Sequence, residues 1–305
     1  MDRAALPKGS AELKIDRTMF AGLDALRVAA PLPSIGLRPG DRRSRARGRG
    51  VELADFRPYV PGDDLRMVDW NVYARLEAVL VRLFHEDRDL QLVIVVDASA
   101  SMQFGSPRKL DHAGELAACL AFLTLRMRDR VRVVIAGGRG MAKGDHVGAL
   151  PVVIDLLERT DARGSADLAA TLAAEAERGR VDHALLLSDL LVEPDAREAA
   201  LRRMVALAKR PVLMHVLGDG ELDPDLDGGI LVDSETGEEI PIRGGKQAKR
   251  SYLEQLARWR AEIETRCSEL GVVYAPAFTT VPARTLISSE LRTKQIVEAT
   301  RGGGR

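Results

Sequence analysis

The chain has 305 residues, a length that predicts one large domain or about two smaller ones. Hydrophobic residues make up 46% of the sequence and charged residues 30%, a balance that excludes a wholly disordered chain. The 45 basic side chains are matched by 45 acidic ones, which excludes a global positive field that would attract nucleic acid or an anionic membrane.

The first 89 residues carry weak hydrophobic patterning. We expect residues 1–37 to be weakly structured, with one short helix over Arg17–Ala29, and residues 38–89 to form a separate region that packs on the main domain. No run of residues approaches the roughly 18–20 apolar positions of a membrane span, and no signal peptide is visible. Two cysteines, Cys119 and Cys267, cannot make a disulfide framework, so we expect a cytoplasmic protein.

From Leu90 onward, buried-strand patterns alternate with helical ones. The predicted strands are Leu90–Val96, Val131–Ala136, Val181–Leu187, Pro211–Leu217 and Val272–Ala275, and the predicted helices are Lys109–Arg128, Leu150–Glu158, Leu168–Glu177, Asp195–Ala208, Gln247–Leu270 and Pro282–Leu291. This alternation predicts an α/β fold over residues 90–292, a doubly wound, mainly parallel sheet with helices on both faces. We expect a β-hairpin insertion at 228–244 and a flexible tail at 293–305.

Polar side chains follow two of the predicted strands. Asp97, Ser99 and Ser101 come after the first strand, and Ser188-Asp189 ends the third. Ligands of an open parallel sheet bind outside the carboxyl ends of its strands, so these oxygen donors should meet at one edge. Such a set suits Mg²⁺ or Mn²⁺, and with only two carboxylates it would leave room for a carboxylate from a partner.

This pattern resembles the von Willebrand factor A domain, whose metal-ion-dependent adhesion site carries a D-x-S-x-S motif, a later Thr and a later Asp. The resemblance implies metal ligands at Asp97, Ser99, Ser101 and, through water, Asp189. The position of the Thr is open, because an alignment on Gly164 places Ser165 there, whereas an alignment on Asp167 places Ala166 there. Thr160 is a poorer candidate.

The flanking segments resemble a bacterial family known as domain of unknown function fifty-eight, over roughly residues 40–290. The matching segments are Gly48–Glu52, Phe56–Tyr59, Pro61–Arg66, Asp69-Trp70, Ala74-Arg75, the hairpin around 233–238 and the helix containing Tyr252. Membership implies a protein-interaction role beside a MoxR-type AAA+ ATPase, acting as an adaptor or in a chaperone-like manner. For Arg57, Arg66, Asp69, Trp70 and Arg75 we favour a structural role, and the alternative is that these residues form a contact surface for the ATPase.

Two other functions stay open. A metal-assisted hydrolase would need a general base, for which Asp189, Asp111 and His112 are the candidates. A nucleic-acid-binding protein would use the arm Arg38–Arg49, but no aromatic residue interleaves that arm to stack on bases. Because no complete catalytic motif is present, we expect a protein that is not an enzyme.

Overall fold

The computed structural model of the chain describes residues 13–30, 53–84, 89–224, 229–232, 239–242 and 245–300. The chain divides into two compact units, which we call unit 1 (Met1–Pro31 with Leu90–Arg305) and unit 2 (Leu32–Asp89). The segment 13–30 therefore belongs to the same unit as the parallel-sheet region that follows Leu90.

The elements are numbered along the chain. The strands are Leu26–Val28 (β1), Leu53–Pro58 (β2), Leu80–Phe84 (β3), Gln91–Val96 (β4), Arg130–Ile135 (β5), Gly140–Gly144 (β6), Val181–Ser188 (β7), Ala208–Leu217 (β8), Gly229–Val232 (β9), Glu239–Ile242 (β10), Val273–Phe278 (β11) and Val297–Ala299 (β12). The α-helices are Trp70–Leu76 (α1), Lys109–Arg126 (α2), Leu150–Glu158 (α3), Leu168–Glu177 (α4), Pro194–Leu207 (α5), Asp219–Leu222 (α6), Lys246–Leu270 (α7), Ala283–Ser288 (α8) and Glu290–Thr293 (α9). Short 3-10 helices cover Arg17–Phe20, Leu65–Met67, Ala100–Gln103 and Val147–Ala149.

Unit 1 is built on a six-stranded sheet with the order β11-β8-β7-β4-β5-β6. The strands are parallel except for β6, which runs antiparallel to β5 at one edge. Along β4, Leu92, Ile94 and Val96 belong to one hydrophobic cluster and Val93 and Val95 to another, so both faces of the sheet are covered. This explains the continuous apolar run and confirms the predicted α/β fold.

The predicted helix over Arg17–Ala29 is wrong. The chain forms a 3-10 helix at Arg17–Phe20, capped by the carboxylate of Asp16, and then turns at Gly22, whose φ of +79° suits glycine. Strand β1 follows and pairs with β12 near the C-terminus. The local apolar spacing was compatible with a helix, but a strand partner about 270 residues away decided the conformation.

The described residues near the two ends of unit 1, 13–30 and 293–300, contribute to its core, which the sequence did not suggest. In the segment expected to be weakly structured, Leu13, Ile15 and Phe20 are buried in the main core. In the region expected to be a flexible tail, Ile296 and Val297 are also buried there. The pairing of β1 with β12 brings these residues together, a pairing that no local pattern indicated.

The longest described helix, α7, is rich in charged residues and buries only Ile263 and Cys267. It ends, as expected, at Gly271, which is left-handed with φ +75°. The predicted hairpin insertion is present as the antiparallel pair β9 and β10. Within the described ranges, no helix combines the length and the apolar character that crossing a bilayer requires.

Unit 2 contains an antiparallel ribbon of β2 and β3 and the short helix α1. The α1 helix begins where Asp69 accepts hydrogen bonds from the backbone N–H groups of Asn71 and Val72, at 3.0 and 3.2 Å. It ends at Glu77, which is left-handed with φ +54°. Arg57 of β2 makes a two-pronged ion pair with Asp63, at 2.7 and 2.6 Å, which closes the turn between the ribbon and the helix.

The stability of unit 1 should depend on the protonation of His112 in α2. This side chain is 2% exposed, its Nε2 lacks a hydrogen-bond partner among the described residues, and burial lowers its pKa to about 4. The neutral ring is favoured in the folded state, so stability is complete above about pH 6.5 and falls as the pH drops toward 4. We expect His112→Gln to remove about 2 to 3 kcal/mol of the stability lost between pH 7 and pH 4.5, measured by urea unfolding. Equal pH dependence in both proteins would contradict this.

Candidate functional site at the carboxyl edge of the sheet

The structure brings Asp97 and Ser188 into direct contact, because β4 and β7 are adjacent parallel strands that end at the same edge. The backbone N–H of Asp97 donates to Leu187 O at 2.9 Å, which continues the ladder beyond the strand. The Ser188 hydroxyl donates to Asp97 Oδ2 at 2.6 Å, and the Ser99 N–H donates to Asp97 Oδ1 at 2.9 Å. Both oxygens of the Asp97 carboxylate thus have protein donors, and the side chain is 1% exposed.

The two serines of the D-x-S-x-S segment lie side by side. The Oγ atoms of Ser99 and Ser101 are 3.1 Å apart, and both residues are buried. Ser165 is on the neighbouring loop, which is held by hydrogen bonds from the Ala100 N–H to Gly164 O and from the Arg163 N–H to Ala98 O. The loop is therefore placed beside the serines, but Ser165 itself is exposed to solvent.

Arg139 holds these two loops together. Its guanidinium donates hydrogen bonds to the carbonyl oxygens of Ala98, Asp161 and Arg163. In the sequence, Arg139 lies within the glycine-rich segment Gly137-Gly138-Arg139-Gly140. Its role depends on carbonyl groups of two distant loops, and no local pattern signals these.

Lys109 is the site residue that sequence reasoning missed. It is the first residue of α2, yet its side chain is 1% exposed. Its Nζ lies 2.7 Å from Asp189 Oδ2 and 2.5 Å from Glu221 Oε1. The remaining oxygens are also engaged, because Asp189 Oδ1 accepts from the Leu191 N–H and Glu221 Oε2 from the Gly218 N–H.

The charged groups at this edge shift one another's pKa values. Burial raises the pKa of Asp97, and the nearby charge of Asp189 raises it further, whereas hydrogen bonds from Ser188 and Ser99 oppose this rise. Burial would lower the pKa of Lys109, but the carboxylates of Asp189 and Glu221 outweigh it and hold that pKa above its usual value. The lysine is therefore a charged ammonium, and it supplies the positive charge of the site.

His215 forms a hydrogen bond with the backbone of Asp189. The ring Nε2 lies 3.0 Å from the carbonyl oxygen of Asp189, and Nδ1 lies 2.9 Å from the hydroxyl of Tyr274. Burial lowers the pKa of His215 to about 4, so the ring is neutral, donates from Nε2 and accepts from Tyr274. His215 is therefore a core residue that holds the backbone of Asp189 in place.

The donor set does not fit a divalent cation beside Lys109. The Lys109 ammonium lies 2.7 Å from Asp189 Oδ2, so a divalent cation bound to that carboxylate, directly or through water, would be repelled by a neighbouring positive charge.

The candidate bases of a hydrolase are engaged elsewhere. Asp111 makes a two-pronged ion pair with Arg108, at 2.6 and 2.8 Å, and His112 is buried in the core. The arm Arg38–Arg49 lies outside the described residues. Of the five residues of the expected contact surface in unit 2, Arg57 and Asp69 have the structural contacts given above, whereas Arg66, Trp70 and Arg75 are exposed.

The hydrogen bond between Ser188 and Asp97 can be tested by mutation. In Ser188→Ala a buried carboxylate oxygen loses its donor, so we expect the free energy of unfolding to fall by about 1 to 3 kcal/mol. Ser165→Ala serves as the matched control, because the same atom is removed at an exposed position, with an expected change within about 0.5 kcal/mol. Urea unfolding at equilibrium measures both, and a Ser188→Ala variant as stable as the control would refute the role of this contact.

The sequence and the fold were compared with known proteins. Residues 55–262 match the family model described as "Protein of unknown function DUF58". The chain is 30% identical over 235 residues to the uncharacterized protein Rv1480 of Mycobacterium tuberculosis, which covers 73% of each chain.

Two solved structures show similarity at low sequence identity. The conserved hypothetical protein BatB from Bacteroides thetaiotaomicron has a TM-score of 0.42 and 14% identity, covering 68% of this chain and 98% of that one. A von Willebrand factor type A protein from Catenulispora acidiphila has a TM-score of 0.33 and 18% identity, covering 46% of this chain and 35% of that one. The sheet of unit 1 has the mainly parallel arrangement, covered on both faces, that the sequence predicts. With a match over residues 55–262, this chain belongs to the DUF58 family.

Proposed function

We propose that this protein is a non-enzymatic interaction module whose protein partner docks on an apolar surface of unit 2. The observation that carries the proposal is a group of large apolar side chains that unit 2 leaves in solvent. We call it the α1 patch, and it consists of Val60, Leu65, Trp70, Tyr73, Leu76 and Val79.

The α1 patch is organised by the short helix. Trp70, Tyr73 and Leu76 are spaced by three residues and therefore share one face of α1. Trp70 is 56% exposed and Leu76 is 70% exposed, and the rings of Trp70 and Tyr73 meet edge to face at 6.1 Å. Exposed apolar patches of this kind mark interaction sites, and tryptophan and tyrosine are enriched among the residues that dominate binding energy.

Charged groups accompany the apolar side chains. Arg66 and Arg75 are exposed, and guanidinium groups can bind carboxylates through two parallel hydrogen bonds. Two acidic neighbours are engaged within unit 2, because Asp63 pairs with Arg57 and Asp64 accepts from the Arg66 N–H at 2.9 Å. The partner that fits this surface offers an apolar groove bordered by acidic residues, and the family resemblance points to a MoxR-type AAA+ ATPase.

The proposal leaves out the metal-dependent mode of binding expected from the adhesion-site motif. In that mode, a partner carboxylate would complete the coordination of Mg²⁺ held by Asp97, Ser99, Ser101, Ser165 and Asp189. The buried ammonium of Lys109 argues against it, and Trp70 offers a contact that needs no ion.

Binding to a purified MoxR-type AAA+ ATPase tests this function. We expect Trp70→Ser and Arg75→Glu each to weaken the dissociation constant at least about tenfold, because each removes an anchor at the centre or rim of the contact. Biolayer interferometry with the purified full-length proteins measures the constant. The matched control is Val152→Ser, which removes a side chain that is 59% exposed on unit 1.

The outcomes separate the two modes of binding. Affinity that survives EDTA but falls in Trp70→Ser supports the α1 patch. Affinity lost in EDTA and unchanged in Trp70→Ser would establish the metal-dependent mode instead. No measurable binding by the wild-type protein would refute the assignment of this partner.

A further inference from the structure

The buried ammonium of Lys109 occupies a particular place in unit 1. Its two partners come from separate segments, because Asp189 follows strand β7 and Glu221 lies in α6 after strand β8. β7 and β8 are neighbours in the sheet, and Lys109 begins the helix α2. One ammonium therefore joins the ends of two adjacent strands to a helix terminus.

The ammonium itself is shielded from water, and one of its two partners is only partly buried. The Lys109 and Asp189 side chains are each 1% exposed and Glu221 is 22% exposed. The helix α6, which carries Glu221, is held by a second contact: the Ser106 N–H donates to Asp219 at the start of α6 at 3.0 Å. Lys249 of α7 also pairs with Asp223 just after α6. Charges removed from water in this way need fixed opposite charges nearby.

From this geometry we infer that the Lys109 ammonium is the cation that the carboxylates of Asp189 and Glu221 bind. A divalent metal ion cannot bind these carboxylates while the ammonium is present. Asp189 Oδ2 and Glu221 Oε1 both point at one cation, and a side-chain amine already fills that position. Deletion of the amine would leave the buried carboxylate of Asp189 and the partly buried carboxylate of Glu221 without their shared cation, and hard oxygen ligands of this kind bind Mg²⁺ or Mn²⁺. The inference stands independently of the α1 patch, since it concerns unit 1 alone.

The experiment removes the Lys109 ammonium by mutation and offers Mn²⁺ in its place. Wild type, Lys109→Met and the control Lys209→Met are titrated with MnCl₂ in a calorimeter, and their melting temperatures are measured with Mn²⁺ and with EDTA. Lys209 is a suitable control because it pairs with Asp182 at 2.9 Å near the opposite end of the sheet and is 48% exposed. The change of residue and the loss of charge are the same in both variants.

We expect the wild type and Lys209→Met to melt at the same temperature in Mn²⁺ and in EDTA. We expect Lys109→Met to melt lower in EDTA and to recover as Mn²⁺ is added, with Mn²⁺ affinity at least about tenfold above that of the wild type. A folded Lys109→Met variant that binds Mn²⁺ no better than the wild type would overturn the inference.

A wild-type measurement decides the case if Lys109→Met does not fold. Stoichiometric Mn²⁺ binding by the wild type that disappears in Asp97→Ala would show that metal and lysine coexist, which overturns the inference. A wild-type titration without such binding supports it. Asp97→Ala leaves both contacts of Lys109 in place, so it reports on the metal alone.

Discussion

The ion pairs of Lys109 with Asp189 and Glu221 are the constraint on which the carboxyl edge of the sheet depends. A buried ammonium is tolerated only when its partners are fixed, and removal of one partner of a buried pair costs several kcal/mol in typical proteins, about 3 to 5. The ends of β7 and β8 and the start of α2 must therefore be in place together. The Asp97 carboxylate, held by Ser188 and Ser99, completes an edge whose polar atoms are paired with one another.

The two units present opposite kinds of surface. In unit 1, the oxygen-rich edge is buried and internally satisfied, so little free energy is available there for a partner. In unit 2, Trp70, Tyr73 and Leu76 remain in contact with water, and burial of their exposed apolar area against a partner would favour binding. This contrast is the physical reason to place the proposed interaction on the α1 patch, whereas the D-x-S-x-S motif predicted a binding site in unit 1.

The sequence predicted most of the sheet because buried parallel strands have a strong signature. The run Leu92–Val96 is apolar at every position. The five predicted strands are present, and the predicted family membership is confirmed. Strand β6 was missed because its residues, Gly140–Gly144, include two glycines and carry no alternation. The pair of β1 and β12 was missed because strand pairing across most of the chain leaves no local periodicity.

The order of residues alone placed Asp97, Ser99, Ser101 and Asp189 after two buried strands, since parallel strands end at a common edge. It did not assign Lys109, because a lysine at the start of an amphipathic helix is normally a solvated side chain. Tertiary structure decided its role by covering it with α6 and by bringing Glu221 and Asp189 to its ammonium group. Local pattern determines which residues form each element, whereas the electrostatic partner of a buried charge depends on how distant elements pack.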